Sequence, residues 1–206
     1  FPAERTAYTY NALPEQHDGP DKTPRDEVML GTLSRLDSVR AVNLAIDFLK
    51  VLLDRGLPVR LSVAGIGEES DNLKAQAERL GLADKVIFLG GVRDLSAYFR
   101  EVDILLNTPV LIGDHGAGVG NNILEAGLYE TPVVTYDVAG VSEMVIDGQT
   151  GYCVPFEDKE RFADAVTDLV RNPGLRRQMG KALHDHVTAL CSDDEIYRAT
   201  MAAYEM

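Results

Sequence analysis

From Glu27 onward, short apolar runs alternate with amphipathic helical stretches, and nothing else in the 206-residue chain limits its fold so strongly. EVMLGTL, LPVRLSVAG, KVIFLG, DILLNTP, TPVVTYD and GYCVP read as six strands. After the first, Ala41, Leu44, Ala45, Phe48 and Leu52 fall on one helical face, with Gly56 as the stop. DNLKAQAERLG, LSAYFREV and GNNILEAGLYE supply further helices, and VSEMVIDG reads as a short one. Near the end, Phe162, Ala165, Val166, Leu169 and Val170 form an apolar stripe. Asn172-Pro173-Gly174 interrupts it, and a last helix follows Ser192-Asp193-Asp194. Strands separated by helices of this length predict βαβ units: an α/β fold with a doubly wound parallel sheet of about six strands, helices on both faces and a helical C-terminus.

Composition excludes several classes of function. Hydrophobic residues make up 45% of the chain and charged residues 26%, enough for a packed core. No apolar run approaches the roughly 18 residues of a membrane-spanning helix. A net charge of -13 argues against nucleic acid as a partner. Cys153 and Cys191 stand far apart, without the spacing of a disulfide framework or a zinc site, so a reducing, cytoplasmic location is expected. NALPEQHDGPDKTPRDE has the prolines and mixed charges of a connecting segment. It sets an expected division into a linker over 1–26 and a domain over 27–206. The start at Phe1, without an initiator Met, leads us to expect a portion of a longer protein.

In such sheets ligands bind at the carboxyl ends of the strands, and anions favour helix amino ends. Arg35 and Arg40 flank the turn after the first strand, where both could reach a diphosphate; the same spacing suits two solvated surface arginines. After the fourth strand comes a glycine-rich loop over 113–120, including Gly118 and Gly120, and then Asn121 and Asn122 open a helix. Glycines permit close backbone approach and the helix start offers free N–H groups, although a plain surface loop would look the same. Glu125, within that helix, is suited to a ribose diol or to a neighbouring charge. Gly65-Ile66-Gly67 reads as a ligand approach or a tight turn. His184 and His186 lie two apart on a helix and make a poor metal pair, while Cys153 reads as a small core residue. No Asp-x-Asp set precedes a nucleotide loop, so no metal is expected.

Together these pieces resemble the C-terminal, donor-binding half of the GT-B glycosyltransferases, in particular glycosyltransferase family 4 (group 1). The arginine of GTLSRL and Arg40 match the family's basic pair on the donor diphosphate. DKVIFLGGV resembles the segment whose backbone meets the base, which puts Val92 beside it. ILEAGLYETPVVTYDVAGVSEMVIDGQTGYCVP parallels the family's run from the carboxylate helix to the Asp-Gly-x-x-Gly turn. The resemblance implies retaining transfer of a hexose-type sugar from a nucleotide-diphosphate sugar to a hydroxyl. It implies Arg35 and Arg40 as the catalytic cations, and Val92, Gly118, Gly120, Asn121, Asn122 and Glu125 as donor contacts. It also implies a carbohydrate or lipid-linked acceptor held by an N-terminal domain, and no cofactor beyond the donor.

One departure stands out. The family has two glutamates with seven residues between them. The second matches Glu125, but the first, which contacts the sugar, falls on Ala117, with Asp114 and His115 as the nearest substitutes. The alternative implied is a non-catalytic nucleotide or nucleotide-sugar binding module. Glu130 likewise stands where the family commonly has a glycine or small residue.

Overall fold

The strands expected from the apolar runs do pair, all in one direction. The computed structural model of the chain describes residues 21–112, 115–116, 120–138 and 140–204, so most of the expected linker lies outside the described residues. The strands are β1 (Val28–Leu33), β2 (Val59–Ala64), β3 (Val86–Gly90), β4 (Ile104–Asn107), the short β5 (Leu111–Ile112) and β6 (His115–Gly116), β7 (Val133–Tyr136) and β8 (Gly151–Val154). Six of them make a parallel sheet in the order β3-β2-β1-β4-β7-β8, while β5 and β6 form an antiparallel pair of their own. Every residue of β4 and β7 is buried, as strands covered on both faces require.

Chain order reverses between β1 and β4, which run side by side at the centre. The helices are α1 (Val42–Asp54), α2 (Ser70–Arg79), α3 (Leu95–Glu101), α4 (Asn121–Leu128), α5 (Lys159–Arg171), α6 (Pro173–Leu190) and α7 (Asp193–Tyr204). On one face α1 packs against α2 and α5, with Phe48 stacked on Phe162 at 4.3 Å between ring centres. On the other α4 packs against α6, and Phe99 of α3 stacks on Tyr129 at 5.1 Å. These rings seal both layers over the sheet.

VSEMVIDG differs from its expected helix. Only Val141–Glu143 turns, as a single 3₁₀ turn. Val141, Met144 and Val145 are buried with helical spacing, but polar side chains draw the following backbone into turns. Ile146 N donates to Thr150 Oγ1 at 2.8 Å, and Cys153 N to Asp147 Oδ1 at 3.1 Å, which competes with helix propagation.

At the amino ends of β4 and β7, away from the carboxyl edge, Lys22 ties the start of the described chain to the domain. Its ammonium donates to Phe99 O at 2.9 Å, Val102 O at 2.7 Å and Thr131 Oγ1 at 2.7 Å. Burial pushes its pKa down to about 8, partly opposed by Asp103.

Candidate functional site

The carboxyl edge of the sheet opens into a cleft of about 340 Å³. The end of β1 contributes Leu33, Ser34, Arg35 and Arg40, and the ends of β2 and β3 contribute Gly65, Ile66, Gly91 and Val92. Gly120, Asn121, Asn122 and Glu125 close it from the α4 side. Seven residues that the sequence singles out (Arg35, Arg40, Val92, Gly120, Asn121, Asn122 and Glu125) therefore meet in one place, beside the point where the strand order reverses. Gly118, Asp114 and Ala117 lie outside the described residues, and of His115 only its backbone in β6 is described.

The β1 loop is held by backbone bonds. Ser34 N donates to Ala64 O at 3.1 Å and Leu36 N to Ile66 O at 3.0 Å, while the Leu36 side chain is buried. Gly65 and Gly67 make this contact possible, because a Cβ on either would collide with a carbonyl oxygen, of Ser34 and Leu36 respectively. They serve the tight turn as well as the cleft wall. Asp37 Oδ1 then accepts from Arg40 N at 2.9 Å, an Asx-type turn that sets where Arg40 leaves the backbone.

The two arginines differ. Arg35 is mostly exposed and pairs with Asp37 at 3.1 Å. Arg40 lies deeper, its Nη1 only 3.1 Å from where a Cβ would stand on Gly120, and no described carboxylate pairs with it. Its guanidinium thus flanks the first turn of α4. That turn has Gly120 as its N-cap, no capping side chain and no acidic residue. Uncapped N–H groups and an adjacent unpaired guanidinium favour an anion.

Polar residues fix α4 to the sheet. Asn107 Nδ2 donates to Thr135 Oγ1 at 3.0 Å, and Asn122 Nδ2 donates to Asn107 Oδ1 at 3.1 Å, so β7, β4 and α4 are joined through buried side chains. Asn122 Oδ1, itself buried, has no partner among the described residues. It lies where a Cβ on Gly120 would go, so residue 120 has to be glycine if Asn122 is to keep its place. One turn on, Glu125 faces the cleft without a hydrogen bond or ion pair among the described residues, and burial raises its carboxyl pKa.

Ala41, expected within the helix, instead precedes it with φ 44° and ψ 45°, in the left-handed region. Neither this nor the ties made by Thr108, Asn107 and Thr135 shows in helical or strand periodicity. The available signal is the Asn-Thr that ends an otherwise apolar fourth strand. Elsewhere, Cys153 is a buried thiol pushed up to about 12 by burial, as a core residue should be. His184 bonds Gly127 O at 3.2 Å and His186 bonds Glu143 O at 2.8 Å, so the two rings serve different neighbours. Among the described residues no group of three or more His, Cys, Asp or Glu is placed to hold a metal, and no helix is long and apolar enough to cross a membrane.

Residues 15–186 match the profile of the family described as glycosyl transferases group 1. A D-inositol 3-phosphate glycosyltransferase of Kribbella flavida is 32% identical over 190 residues, covering 87% of this chain and 43% of its own length. The lipopolysaccharide core biosynthesis glycosyltransferase LpsE of Rhizobium meliloti is 33% identical over 67% of this chain and 39% of its own. The chain thus spans less than half the length of these curated relatives. Among solved structures, S. aureus TarM in complex with fondaparinux, alpha-GlcNAc-glycerol and UDP superposes with a TM-score of 0.83. That match is 20% identical and covers 94% of this chain and 38% of TarM. The C-terminal domain of the group 1 glycosyl transferase LpcC from Francisella tularensis is 22% identical with a TM-score of 0.68, covering 79% of this chain and 85% of that one.

Proposed function

The chain belongs to the glycosyl transferases group 1 family and has the fold of a C-terminal GT-B domain, and from that premise we propose that its cleft binds the diphosphate of a nucleotide-sugar donor. One observation carries the reading: an unpaired Arg40 guanidinium, the uncapped start of α4 and the unpartnered Glu125 carboxylate converge on one cavity. In this reading Arg40, with Arg35 at the rim released from Asp37, neutralises charge that grows on the diphosphate as the glycosidic bond to it breaks. The amino end of α4 adds backbone N–H donors, and Glu125 accepts from the ribose hydroxyls. The base lies toward Val92 and Gly91.

The finer reading is retaining transfer of a hexose-type sugar to a hydroxyl of a carbohydrate or lipid-linked acceptor, as in family 4, with the acceptor held by an N-terminal domain. The positive charge needed at the leaving group comes from the arginines and the helix end, so we propose a metal-independent reaction in a cytoplasmic enzyme. UDP in the TarM complex makes a nucleoside diphosphate the natural first probe. A second reading, a nucleotide-binding module without catalysis, rests on Ala117 standing where the family's sugar-contacting glutamate falls.

Calorimetric titration with UDP, GDP and ADP tests the shared premise. We expect saturable binding of one of them, weakened by about 1.5–3 kcal/mol in Arg35→Ala as for loss of a charge-assisted contact. No binding of any of the three contradicts it. Ala117→Glu in the full-length protein separates the two readings: unchanged activity favours the module, and a large gain opposes it.

A further inference from the structure

Ala41 is a non-glycine residue in the left-handed region, and such a conformation persists only where its surroundings hold it. Two features here do. Thr108, at the end of β4 and almost wholly buried, directs its hydroxyl at the carbonyl oxygens of Arg40, 3.3 Å, and Ala41, 3.1 Å. Two residues on, Val110 N donates to Val39 O at 2.9 Å. The segment leaving β4 therefore grips the turn from which Arg40 projects, and the same segment leads into the loop before α4.

We propose that Thr108 is a positioning residue for anion binding in the cleft. Its one hydroxyl proton, shared between two consecutive carbonyls, holds the left-handed turn that lays the Arg40 guanidinium beside Gly120. Without it the turn relaxes toward an ordinary right-handed conformation, and the departure angle of Arg40 changes by one residue's worth of backbone rotation. The guanidinium then no longer shares an anion with the first turn of α4. This inference rests on the donor-binding reading of the cleft, since it assigns Thr108 a role through Arg40.

The test is a double-mutant cycle read by calorimetric titration with the nucleoside diphosphate that the wild-type chain binds, with thermal melting alongside. Thr108→Val, which keeps shape and removes the donor, should weaken binding roughly tenfold, as for loss of one well-placed charged contact's geometry. Thr108→Ser should restore it. In an Arg40→Ala background, Thr108→Val should cause no further loss, because the hydroxyl acts through that side chain. Should Thr108→Val fail to fold, Thr108→Cys replaces it, filling the space with a weaker donor, and the same confinement of the loss to Arg40-containing protein is expected. A lowered melting temperature with unchanged affinity would make Thr108 merely structural and overturn the inference. Equal losses with and without Arg40 would do the same. Failure of the wild-type chain to bind any of UDP, GDP or ADP, or an Arg40→Ala variant that binds as well as wild type, would instead remove the reading beneath it.

Discussion

Helices α4 and α5 both begin at the carboxyl edge of the same sheet, one after β4 and its hairpin, the other after β8, yet their first turns are finished in opposite ways. At α5 the Asp158 side chain accepts from Arg161 N at 3.0 Å, and the Arg161 guanidinium pairs with Asp147 at 2.7 Å. Glu160 adds negative charge to the same turn. Donors, dipole and cation all have partners within the protein. At α4 glycine replaces the capping side chain, no acid lies in the first turn, and the nearby arginine pairs with no described carboxylate. An amino end completed by its own side chains stabilises the fold and is closed to a ligand; one left incomplete costs stability and stays open to an anion.

The largest difference between the two ends should appear in binding. Arg40→Ala is expected to weaken nucleoside diphosphate binding by about 1.5–3 kcal/mol, whereas Arg161→Ala should leave it within error in the same calorimetric titration. Equal effects would dissolve the contrast. Next comes Gly120→Ala. Its methyl group would collide with Asn122 Oδ1 and press on Arg40, so thermal unfolding should show a loss of about 1–3 kcal/mol together with weakened binding. Asp158→Ala, at the closed end, should lower stability by about 1 kcal/mol and leave binding unchanged.

How much of this could be read from the chain follows from where the physics is local. Apolar runs such as DILLNTP and TPVVTYD announce strands buried on both faces, and Gly56 and Gly81 mark helix ends, so the sheet was accessible to pattern alone. Arg40, Asn122 and Glu125 were accessible as motif positions flanking a helix start. The left-handed Ala41 was not, because its conformation is imposed by Thr108, whose residue number is 67 higher. The buried connection from Thr135 through Asn107 to Asn122 is equally non-local. The β5–β6 pair within a glycine-rich stretch, and the 3₁₀ turn at Val141–Glu143, were decided by backbone partners that periodicity does not encode.

Glu130 makes a smaller prediction. It follows α4 at its far end with φ 49°, a conformation that explains why a glycine suits the position. Glu130→Gly should raise stability by about 0.5–1 kcal/mol, the relief of left-handed strain less the added freedom of the unfolded chain, without altering binding. The smallest effect concerns Glu125. Burial raises its pKa in the folded state, so the folded chain holds this proton more tightly than the unfolded one. The carboxylate therefore burdens the fold above the ordinary value of 4.5, and the burden is complete once pH exceeds the raised folded value. Glu125→Gln should melt slightly higher than wild type at pH 7, with the advantage fading as pH falls to 4.5 and below, while nucleotide affinity declines. A variant that melts lower at pH 7 would show that Glu125 stabilises the fold rather than waiting for a ligand.

The most direct measurement compares the two helix ends in one experiment: backbone amide chemical shifts of the wild-type chain during titration with UDP, GDP and ADP. The account predicts saturable shifts for one nucleotide, largest at Gly120, Asn121, Asn122 and the Arg40 turn, with Asp158 to Arg161 unmoved. Shifts centred on the start of α5, or no saturable shift at the start of α4 with any of the three, would contradict it.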